Sequence, residues 1–138
     1  MDPLYFFDLA KSLTRNARGE LAEASYRGAC GRAYYAVFGL ARDLLMATDH
    51  KLPRDGTAHR EVIELLKTKS SSLEVQSVGS ALDALHVTRK SADYEMGKIP
   101  LRGQPFDSRR ANVALAQATV MIATLQEQFK NDKRLGIP

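Results

Sequence analysis

Apolar residues recur along this chain at steps of three and four, the spacing that gathers them on one face of an α-helix. Asp2 followed by Pro3 reads as a helix cap with a first-turn proline, and Leu4, Phe7, Ala10, Leu13 and Ala17 form a stripe that Gly19 ends. A second stripe of Tyr26, Ala29, Cys30, Ala33, Val37, Ala41, Leu44 and Leu45 predicts a long central helix from about Glu20 to Ala47. Gly28, Gly31 and Gly39 fall inside it, each at a cost of roughly 1 kcal/mol relative to alanine, so another backbone is expected to approach closely there.

His50 to Gly56 contains Pro53 and reads as a loop, after which Thr57 is expected to cap a helix carrying Val62, Leu65 and Leu66. The run Ser70-Ser71-Ser72 breaks it, and a further helix carries Val75, Val78, Leu82 and Leu85, with Arg89 at the next four-residue step. Gly97, Pro100, Gly103 and Pro105 predict irregular chain from about Met96 to Phe106, and Asp107 or Ser108 then caps a last helix bearing Ala111, Leu115, Ala118, Ile122, Leu125 and Phe129. No segment alternates apolar and polar residues as a half-buried strand would. The expected fold is all-α, an up-and-down bundle of about four to five helices, with one domain over residues 1–129 and a polar tail over 130–138 that is expected to fray.

Composition narrows the functional classes. A chain of 138 residues that is 44% hydrophobic and 26% charged suits one ordinary core. Its one cysteine, Cys30, has no intramolecular partner and reads as a small buried filler. Without a basic leader or a run long enough to span a bilayer, a cytoplasmic protein with no membrane association is expected. A net charge of +4 permits contact with nucleic acid, although Lys67 and Lys69, Arg89 and Lys90, and Arg109 and Arg110 act together only if the fold joins them. There is no glycine-rich phosphate loop, cysteine pair, His-Glu-x-x-His or nucleophile elbow, so no cofactor or metal is expected. His50, His59 and His86 are scattered and read as surface residues.

The segment Ser25 to Phe38 is more specific, with Arg32 and the adjacent Tyr34 and Tyr35 set in a helix of small residues. On residue physics alone the tyrosines pack and Arg32 closes a salt bridge. As a string, Arg32-Ala33-Tyr34-Tyr35-Ala36-Val37-Phe38 resembles the second-helix core of the HEPN superfamily. Thr57 to Ile63 is similar to that family's histidine-bearing start of the third helix, and Arg89-Lys90-Ser91-Ala92-Asp93-Tyr94 to its Arg-x-x-Ala-Asp-Tyr element. The resemblance extends from about residue 4 to 129 and implies a helical homodimer.

Many members of that superfamily are metal-independent ribonucleases in which an arginine, separated by four to six intervening residues from a histidine, holds phosphate while the histidine works as acid or base. The resemblance places the arginine at Arg89, but Tyr94 stands where the histidine is expected, which sets nuclease activity in question. Arg54 and His59 have the same spacing at a loop and read as a coincidence. The candidate site is therefore Arg89, Tyr94, Asp93 and His59, with Asp93 able either to pair with Arg89 or to orient it. On an ideal helix Asp93 lies about 40° around from Arg89 and Tyr94 about 140°, so the helix must end or bend between them, or a second subunit must contribute. Two functions remain. One is an RNA-directed module, binding RNA or cleaving it without metal, of an RNA-targeting or toxin-antitoxin type system; the other is a non-catalytic dimeric module that partners a minimal nucleotidyltransferase or another effector.

Overall fold

The computed structural model describes residues 1–94 and 106–138, with side chains throughout except at residues 93 and 94. It contains five α-helices and, among the described residues, no strand, so the expected all-α bundle is what the chain forms. Helix α1 spans Leu4–Arg15, α2 Ala22–Ala47, α3 Thr57–Glu64, α4 Leu73–Tyr94 and α5 Ser108–Asn131. A 3-10 turn, Gly19–Leu21, leads into α2, and a π-helical turn, Leu65–Lys69, extends α3. Residues 95–105, which include most of the segment expected to be irregular, lie outside the described residues.

Local chemistry sets the boundaries. The Asp2 carboxylate accepts the N–H of Leu4 at 2.9 Å and starts α1. That helix stops at Arg15, before Gly19, because Asn16 turns out of helical geometry and donates its N–H back to Ser12. Thr57, expected as the cap of α3, is its first residue instead; Asp55 reaches the Thr57 N–H at 2.9 Å and takes the capping role. Ser72 caps α4 by accepting the N–H of Val75 at 3.3 Å, and Asp107 caps α5 by accepting that of Arg110 at 3.0 Å.

Helix α2 is the axis of the bundle, with α1, α4 and α5 packed on it. Ala29, Cys30, Ala33, Tyr34, Val37, Ala41 and Leu45 are fully buried along its length. At Gly39 the close neighbour is the ring of Pro3, whose Cβ would lie 2.8 Å from an added Cβ and whose backbone Cα 3.8 Å away, whereas Gly28 faces only the end of Leu13. A tighter contact lies at Gly79 in α4, where a Cβ would meet the Lys67 backbone nitrogen at 2.6 Å, so this glycine lets the π-helical turn lie directly on α4.

Arg27, rather than Arg32, is the cation built into the core. Its guanidinium donates to the carbonyls of Ser91 and Ala92 at 3.2 and 3.1 Å, and so satisfies two of the last acceptors of α4. Glu23 pairs with it at 3.3 Å. Arg32 makes no ion pair among the described residues.

The tail does not fray as its polarity suggested. The carbonyl of Gly136 accepts the N–H of Ser71 at 2.8 Å, the Ser70 hydroxyl donates to the Leu135 carbonyl at 2.6 Å, and Leu135 and Ile137 are buried. Left-handed backbone at Leu135 and Gly136 (φ 56° and 72°) makes this reversal. Two apolar side chains outweigh the polar residues around them.

Candidate functional site

Adjacent residues on α2 present their side chains about 100° apart, and Tyr34 and Tyr35 accordingly have different partners. The buried Tyr34 hydroxyl lies between two imidazoles, 2.6 Å from Nδ1 of His59 in the first turn of α3 and 2.7 Å from Nδ1 of His86 in α4. His59 stacks on Phe38 with ring centres 4.2 Å apart, and His86 meets Tyr34 edge-on at 5.0 Å. The half-buried Arg89 donates to the Tyr35 hydroxyl at 2.5 Å and holds its guanidinium 5.1 Å from the centre of that ring, within cation–π range.

The electrostatics keep this cluster neutral at its centre. Burial, then the charge of Arg89, Lys90 and Arg42, lowers the pKa of His59 below its ordinary value. Burial, then Lys90, His59, Arg89 and Arg60, pulls His86 down to about 4. Burial also pushes the Tyr34 phenol well above its ordinary range, against the opposing field of Arg89. At neutral pH both imidazoles are uncharged and Tyr34 keeps its proton. On the outer side, burial would raise the Asp83 carboxyl, but Arg60 at 3.2 Å and Lys67 at 3.4 Å outweigh this and hold it low.

Beside the cluster opens a cleft of about 530 Å³. Phe6, Tyr35, Phe38 and His59 form an aromatic wall, and the exposed Arg42 and Arg54 bring two cations to it. Arg42 lies 5.7 Å from the Phe38 ring centre. Arg54 and His59, whose spacing read as a coincidence, share this cleft. Arg89 touches it through Tyr35.

Of the candidate residues, Arg89 and His59 therefore converge on the Tyr34–Tyr35 pair. Asp93 and Tyr94 end α4, but their side chains lie outside the described residues. His86 is a correction: expected at the surface, it is only 8% exposed. Its position four residues after Leu82 places it on the apolar stripe, a signal available in the sequence. The tyrosines do pack, as residue physics suggests, yet both hydroxyls also carry polar partners.

Two of the basic residues singled out in the sequence have local partners. Lys67 is paired with Asp83, and Arg110 lies 4.0 Å from the ring centre of Phe106, which Arg27 also approaches at 4.3 Å. Burial pushes the Cys30 thiol up to about 11, despite nearby Arg110 and Arg27, in keeping with a filler role. Among the described residues no group of His, Cys, Asp and Glu is arranged to hold a metal ion, and no helix is long and apolar enough to cross a membrane. A second groove of about 530 Å³ runs between α4 and α5, lined by Val78, Ala81, Val120 and Met121 among others. Comparison of the chain with protein-family models, with curated proteins and with solved structures finds no match in any of the three.

Proposed function

We propose that this protein is an RNA-directed module of HEPN type, with a site suited to holding single-stranded RNA and to metal-independent attack on its phosphodiester. The observation that carries this proposal is the placement of a neutral, partly exposed imidazole, His59, in the wall of a cleft that also presents arginines and aromatic rings. Each part matches a feature of the ligand. Unpaired bases stack on aromatic faces, guanidinium groups take phosphate, and a neutral imidazole accepts the proton of a ribose hydroxyl. Arg42 and Arg54 face the phosphate directly, and Arg89 adds charge through Tyr35.

The deciding experiment incubates purified protein with single-stranded and structured RNA in the presence of chelator. Cleavage is expected to fall by about two orders of magnitude or more in His59→Gln, and binding to weaken in Arg89→Ala with helicity retained. Wild-type protein that neither binds nor cleaves RNA defeats the proposal; binding alone reduces it to an RNA-binding module.

The groove between α4 and α5 favours a second reading, a dimer or a docking module for an effector such as a nucleotidyltransferase. Val120, on its edge, is 66% exposed. A solution mass equal to that of the monomer would remove the homodimer.

A further inference from the structure

A tyrosine hydroxyl has one proton to give and lone pairs with which to accept. That of Tyr34 lies within hydrogen-bonding distance of the same nitrogen, Nδ1, on two different imidazoles, at 2.6 and 2.7 Å. A neutral imidazole carries one proton, so its Nδ1 either donates or accepts. Tyr34 can donate to only one of the two. The other must supply its own Nδ1–H, or two lone pairs would face each other in a buried site.

We infer that Tyr34 locks His59 and His86 into opposite tautomers, and that His86 is thereby a positioning residue that sets which form of His59 faces the cleft. Two arrangements satisfy the hydrogen bonds. In one, Tyr34 donates to His86 and accepts from Nδ1–H of His59, which leaves Nε2 of His59 bare and able to take a proton. In the other, Tyr34 donates to His59, His86 supplies its Nδ1–H, and Nε2 of His59 carries a proton that it can give.

The two forms interconvert without net change of charge. A proton bound at Nε2 of His59 displaces the one on its Nδ1 to the Tyr34 oxygen; the Tyr34 proton moves to Nδ1 of His86, and Nε2 of His86 releases its own to solvent water. One proton enters and one leaves. His59 thus alternates between base and acid with Tyr34 and His86 as its relay, and the low pKa of both rings keeps the neutral forms populated at neutral pH. The tautomer lock stands on the geometry alone, whereas the positioning role rests on the RNA-directed function proposed above.

Ring-nitrogen NMR of the nitrogen-labelled full chain at neutral pH reads each tautomer directly. Of His59 and His86, one is expected to show a protonated Nδ1 and the other a protonated Nε2. Tyr34→Phe keeps the ring and removes the bridge, so the pair is expected to lose this opposition. His50, whose Nδ1 lies 2.7 Å from the Thr48 hydroxyl, is the internal reference that stays unchanged. Finding both rings in the same tautomer in the wild type overturns the inference, even if Tyr34→Phe fails to fold, as does a folded Tyr34→Phe in which opposition persists. Opposite tautomers in a protein inert toward RNA leave the lock standing and remove the RNA-directed function. For the positioning role, a folded His86→Phe is expected to change the pH profile of cleavage, and an unchanged profile overturns it.

Discussion

At the scale of single residues, the site is built on the burial of groups that would otherwise titrate. In the unfolded chain a histidine titrates at about 6.5, whereas burial pulls His86 in the folded protein down to about 4. Between these values the unfolded chain binds the extra proton, so stability is complete above about 6.5 and is progressively lost as pH falls toward about 4. His59, also lowered, acts in the same direction. Asp83, held below its ordinary value, loses its contribution mainly at the acid end of that range and beyond. The urea midpoint is therefore expected to decline across this window in the wild type, and less steeply in His86→Gln, which cannot become a cation. Equal slopes in the two proteins would show that His86 does not carry the effect. Part of this was legible in the sequence. Arg89 stood out because a cation continued an apolar stripe, and the same stripe contained His86; the bridging by Tyr34 was not legible, because it depends on α3 bringing His59 to α2.

At the scale of elements, periodicity located the helices while individual contacts set their ends. The steps of three and four in the final helix agree with α5, in which Ala111, Ala118, Ile122 and Leu125 are buried. Caps were less secure, since aspartate and threonine two residues apart compete for the same N–H groups and only geometry chose Asp55 over Thr57. Gly79 carried no sequence signal beyond its cost to a helix, and its reason is the backbone at Lys67. Alanine in an open helix would gain about 1 kcal/mol over glycine. Here the new Cβ would lie 2.6 Å from a backbone atom, which cannot swing aside as a side chain could. Overpacking of this kind costs about 1–3 kcal/mol, so Gly79→Ala is expected to be net destabilising, by up to about 2 kcal/mol in a denaturant titration. Gly56, with open space at its Cβ, is the control expected to tolerate alanine.

At the scale of the whole molecule, a net charge of +4 says little about where an anion would bind. Several cations are already engaged: Arg27 with the end of α4 and with Glu23, and Arg60 and Lys67 with Asp83. Arg42, which pairs with Asp43 at 3.8 Å, and Arg54 line the cleft that His59 faces. If RNA occupies that cleft, each phosphate they neutralise releases counterion and contributes roughly 0.7 to the slope of log affinity against log salt for a single strand. The double variant Arg42→Gln/Arg54→Gln is therefore expected to bind RNA more weakly and to lower that slope by up to about 1.4. Removing two exposed lysines outside the cleft, Lys130 and Lys133, changes net charge by the same amount and is expected to leave the slope nearly unchanged. Equal losses from the two double variants would mean that RNA responds to overall charge, and the cleft would lose its claim to the ligand. A reduced slope confined to the arginine variant would place phosphate beside His59, within reach of the imidazole whose proton state Tyr34 controls.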